Sequence, residues 1–75
     1  MSILQALELF EDASNAVKDG DCPRAKRLYR KGLTAERKAL QRGGPSYKFT
    51  RMFDARFVAR TYLRRGCFYM HGPKR

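Results

Sequence analysis

Two breaks constrain this chain more than any other feature. Gly20-Asp21 and Gly43-Gly44-Pro45 divide it into three segments, each with apolar residues at three- and four-residue intervals. Glycine accepts turn dihedrals and proline cannot continue a helix, so regular elements must end at both places. Apolar spacing of this kind marks one face of an α-helix rather than a strand. The predicted fold class is all-α: a small three-helix bundle with helices over about 3–18, 22–42 and 46–65, followed by an apolar C-terminal tail at 67–75. A chain of 75 residues is read as one helical domain, 1–75, with a single modest core.

Each segment carries its own start and stop signals. In the first, Ser2 with Gln5 fits a capping box, Ile3, Ala6, Leu7, Leu9, Phe10, Ala13 and Val17 share a face, and Gly20 closes the helix. In the second, Asp21 is the cap and Pro23 falls in the first turn, where a missing amide costs little. Its apolar arc is Cys22, Ala25, Leu28, Tyr29, Gly32, Leu33, Ala35, Ala39 and Leu40. Glu36 lies inside that arc, so it is expected to pair with an arginine of the third helix. The third helix is expected to start at a Ser46 cap and stop at Gly66. The short turn at Gly20-Asp21 makes the first two helices antiparallel neighbours. The expected core is Leu7, Phe10, Ala13, Val17, Ala25, Leu28, Tyr29, Leu33, Met52, Phe53, Val58, Ala59, Tyr62 and Leu63.

Charge is the strongest functional signal. The net charge is +10, and it is divided unevenly along the chain. Residues 1–21 hold five acids against one lysine, a balance of −4, and residues 22–75 hold sixteen bases against two acids, a balance of +14. Such an excess attracts polyanions, of which nucleic acid is the commonest; an anionic membrane surface or an acidic protein patch also qualifies. In the third segment Phe49, Phe53 and Phe57 form an i, i+4, i+8 row, interleaved with a second row of Arg56, Arg60 and Arg64. Aromatics and arginines together can stack on bases and pair with phosphates; alternatively the phenylalanines belong to the core and the arginines form a solvated rim. The residues expected to contact nucleic acid, DNA or RNA, are Arg27, Arg30, Lys31, Lys38, Lys48, Arg51, Arg56, Arg60, Arg64 and Arg65.

The competing function is a protein-interaction module, an adaptor or inhibitor. Its contacts would come from the helix hairpin, the aromatic row, or the tail residues Phe68, Tyr69 and Met70, with an acidic protein as partner. The same apolar tail and phenylalanines would also suit a homodimer. A ribosome-associated protein on structured RNA is a third reading.

Catalysis is not expected. The single His71 lies in the tail, no Ser–His–acid or Cys–His–acid set can be placed, and Gly43-Gly44 lacks the lysine pattern of a phosphate loop. No cofactor or metal is expected, because Cys67 and His71 at i, i+4 would leave a tetrahedral zinc site two ligands short. The first ten residues lack a basic region and cleavage site, and no apolar run is long enough to span a membrane. The two cysteines, Cys22 and Cys67, are therefore read as free thiols of a cytoplasmic, intracellular protein.

Two stretches resemble known families. In residues 9–33, Ala25-x3-Tyr29 follows the Gly20-Asp21 turn, and Leu9 and Ala13 hold the places of a tryptophan and a small residue. This resembles one tetratricopeptide-repeat hairpin, and equally the microtubule-interacting and trafficking domain; Asp12, Ala16 and Arg37 depart from the repeat pattern. The resemblance implies a packed helix pair. In residues 34–53, Ala39, Gly43, Phe49 and Met52 resemble the crossing, turn and inward residues of a helix-turn-helix. That likeness implies that Tyr47, Lys48, Thr50 and Arg51 face the major groove of DNA.

Overall fold

Gly20 adopts φ 81°, the left-handed region that favours glycine, and ends helix α1 (Ile3–Lys18). The Asp21 amide donates to the Ala16 carbonyl at 2.8 Å and the Gly20 amide to the Val17 carbonyl at 2.9 Å. This pair of reversed bonds is a Schellman closure, which satisfies carbonyls the helix leaves open. Asp21 then caps α2 (Cys22–Arg42), its Oδ1 accepting from the Arg24 amide at 3.2 Å. One tight turn thus ends one helix and starts the next, as the sequence implied.

The computed structural model describes residues 3–42 and 49–68. After α2 the described chain resumes at Phe49 and enters α3 (Thr50–Tyr62), which runs on into a π-helical turn over Leu63–Phe68. Three helices and no strand are found among the described residues, so the architecture is a small all-α three-helix bundle. The expected caps at Ser2 and Ser46 lie outside the described residues.

Helix α1 is the centre of the bundle. It packs along both α2 and α3, whereas α2 and α3 meet only along one edge. Close approach is achieved with small side chains: Ala6, Ala13, Ala16, Ala25, Ala35, Ala39 and Ala59 are all buried. Phe10 is the large residue that fills the α1–α2 seam, with its ring 5.6 Å from that of Tyr29. Gly32 provides the recess, since a Cβ there would stand 2.6 Å from Phe10 Cε1. Met52 and Phe49 close this part of the core from α3. A second cluster, Ala16, Ala25, Leu63 and Cys67, fills the end near the π-helical turn.

Four expectations need correction. First, Cys22 and Cys67 are not free thiols: they are joined by a disulfide, with Cα atoms 5.7 Å apart. The bond removes the free-thiol argument for a reducing compartment. Second, Gly66 does not stop the third helix. The chain stays helical through it, and its missing side chain serves packing instead, because a Cβ would stand 2.5 Å from Val17 Cγ1. Third, Phe53 is not core, being 37% exposed. Each four-residue step overshoots a full turn by about 40°, so the Phe49, Phe53, Phe57 row rotates out of the core. Its members are accordingly 6%, 37% and 70% exposed. Fourth, Val58 is 43% exposed, because α1 presents Glu11, Ser14 and Asn15 to it across an open groove.

Candidate functional site

Two tethers fix how α2 and α3 lie against each other. At one end the disulfide joins Cys22, the first residue of α2, to Cys67 in the π-helical turn. At the other, Arg56 Nη1 of α3 donates to Glu36 Oε1 of α2 at 3.0 Å. Pairing 22 with 67 and 36 with 56 sets an antiparallel register. Between the tethers that register brings Lys26 level with Arg64 and Arg30 level with Arg60. These four side chains, with Tyr29 and Leu63 as the floor, line a cleft of about 420 Å³. No acid lines it.

The Glu36–Arg56 pair is the one anticipated from Glu36's place in an apolar arc. Glu36 is 5% exposed, and its Oε2 has no hydrogen-bond partner among the described residues. A buried carboxylate with a single cation is costly to leave unpaired. Arg56 is therefore committed to the fold, and its guanidinium also lies 5.4 Å from the centre of the Phe53 ring.

A second opening has different electrostatics. A groove of about 470 Å³ between α1 and α3 is lined by Leu7, Glu11, Ser14, Asn15, Lys18, Arg51, Asp54, Ala55, Val58 and Tyr62. Two acids and two bases balance there, and Lys18 Nζ sits 5.4 Å from the centre of the Tyr62 ring. A polyanion gains nothing from a neutral groove, so the smaller α2–α3 cleft is the better candidate despite its size.

The expected contact residues separate by position. Arg30, Arg60 and Arg64 converge on the cleft. Arg56 does not line it and is held by Glu36. Arg27, Lys31 and Lys38 are exposed along the outer side of α2, and Arg65 is exposed beyond the cleft. Arg51 lies in the neutral α1–α3 groove, apart from the others. Lys48 lies outside the described residues, and so do Tyr69, Met70 and the Phe68 side chain, the expected partner contacts. Reading the sequence one helix at a time missed Lys26, Tyr29 and Leu63 as lining residues. The available signal was that Lys26 stands one turn before Arg30, at i, i+4, on the side of α2 adjoining the apolar arc.

Among the described residues, no group of three or more His, Cys, Asp or Glu could hold a metal ion. Cys67 is tied up in the disulfide, so the Cys67/His71 pairing considered from sequence is unavailable as a thiolate site. No helix among the described residues is long and apolar enough to cross a membrane. No protein-family model, no curated protein and no solved structure matches the chain.

Proposed function

We propose that this protein binds nucleic acid, with the α2–α3 cleft as the main phosphate contact and an accessory or regulatory role. The observation that carries the reading is the cleft itself: four basic residues and, among the described residues, no acid in its lining, with a tether at each end. The three arginines brought together there repel one another, and a phosphate chain entering between them reverses the sign of that interaction. Arginine offers two parallel donors to a phosphate, and three of the four cleft bases are arginines. Arg27, Lys31 and Lys38 extend the basic surface along α2. Contacts of this kind give affinity and positioning without reading sequence.

The test is titration of labelled duplex and single-stranded nucleic acid at low and raised salt, comparing the native chain with a Lys26/Arg30/Arg60/Arg64→Ala variant. Binding that weakens with salt and is lost in the variant supports the reading. No binding at low salt by the folded protein refutes it. The positive surface would then serve an acidic protein patch, to be sought by capture with and without residues 69–75, a truncation that spares Cys67 and its disulfide.

A further inference from the structure

The stripe of α3 that carries the cleft arginines also carries two exposed phenyl rings. Phe53, Phe57, Arg60 and Arg64 stand at i, i+4, i+7 and i+11, so they share one side of the helix. Phe57 is 70% exposed, the most exposed of the large apolar side chains described, and Phe53 is 37% exposed. The Phe53 ring is already engaged, with Phe49 at 6.2 Å between ring centres and the Arg56 guanidinium at 5.4 Å. Phe57 therefore stands clear of the core, one turn from Arg60 and beside a ring held in place. A large apolar side chain left in water beside a polyanion cleft is unexplained by packing.

From this arrangement, and resting on the nucleic-acid reading above, we infer that the ligand is an unpaired strand, with its phosphates in the α2–α3 cleft and a base stacked on Phe57. Base faces are hidden inside a duplex and exposed in a single strand, so only the latter gives Phe57 a partner. Charge complementarity selects the phosphates, and the ring adds a contact that tolerates any base, because every base has a π face. The stripe from Phe53 to Arg64 is about 16 Å long, enough for a few nucleotides.

The deciding experiment measures the affinity of a labelled pyrimidine strand and of the matching duplex for the native chain, Phe57→Ala and Phe57→Trp. Phe57 is largely exposed, so neither substitution disturbs the core, and thermal melts of the variants check this. The expected results are a preference for the single strand and a loss of about tenfold for the strand in Phe57→Ala, the size of one base–aromatic stack, with the duplex unaffected. Phe57→Trp should restore strand binding. It also introduces the only tryptophan of the chain, whose emission should be quenched when a base stacks on it. Equal affinity for strand and duplex, with Phe57→Ala silent on both, overturns the inference while leaving nucleic-acid binding intact. Absence of binding to either ligand overturns both.

Discussion

Cutting the disulfide should destabilise this chain more than any other single change among the described residues. Cys22 and Cys67 are 45 residues apart, so the bond closes off more than half of the chain. Closing a loop of that length removes chain entropy from the unfolded state worth about 4 kcal/mol at room temperature, on the polymer estimate. For a domain of this size, a loss of that magnitude lowers the melting temperature by roughly 20–30 °C. The bond also sits in the second core cluster, where Cys67 packs with Ala16, Ala25 and Leu63, so replacing it leaves a packing defect as well. The assay is a thermal melt followed by helical circular dichroism, with and without a dithiol reductant. Each equivalent of dithiol transfers two electrons and two protons to the cystine, giving two thiols and a cyclic disulfide of the reductant. A Cys22→Ser/Cys67→Ser variant should melt where the reduced native chain melts and should not respond to reductant. Denatured, unreduced protein should show no free thiol. Coincident melts with and without reductant, in protein shown to be oxidised at the start, would refute the reasoning, because the constraint would then carry no stability.

Other substitutions separate fold from binding. Arg56→Ala strips the cation from a carboxylate that is 5% exposed, and should cost about 1–3 kcal/mol in a urea melt, towards the low end because the Arg56 side chain is itself 42% exposed. Arg60→Ala with Arg64→Ala should leave the urea midpoint nearly unchanged yet lower the salt slope of nucleic-acid binding by about two, one per lost phosphate contact. Gly32→Ala should destabilise by about 1–3 kcal/mol, even though alanine is the better helix former, because its Cβ would meet the buried Phe10 ring at 2.6 Å; a higher melting temperature would contradict that packing. Reduction of the disulfide should also weaken binding at temperatures where the helices persist, since it frees the Lys26/Arg64 end of the cleft; unchanged affinity would show that the tether does not shape the site.

The legible parts of this fold were those set locally. Gly20 and Asp21 act through their own dihedrals and hydrogen bonds, so the α1–α2 turn could be read directly from the sequence. Glu36 was legible for a different reason: a charge within an apolar arc must find a counter-charge, and the third helix carries the arginines. The illegible parts depend on how the helices are arranged in space. Two cysteines 45 residues apart carry no spacing signal, and only the antiparallel placement of α2 and the π-helical turn brings them together. The phenylalanine row was seen, but where it leaves the core depends on which part of α3 is covered by α1. The cleft itself is a property of two helices at once. Three of its six lining residues, Arg30, Arg60 and Arg64, were named from sequence, but Arg51 and Arg56 were grouped with them because a single-helix view cannot distinguish a base facing α1 or a buried acid from one facing the cleft.

The most direct test of the central claim is the affinity of the folded, oxidised chain for a labelled single strand at two salt concentrations, measured beside the Lys26/Arg30/Arg60/Arg64→Ala variant. The account predicts binding that falls as salt rises and a variant that stays folded at the assay temperature but binds more weakly, with a correspondingly shallower salt dependence. Equal binding by the two proteins would contradict it, because the affinity would then reside outside the cleft between α2 and α3.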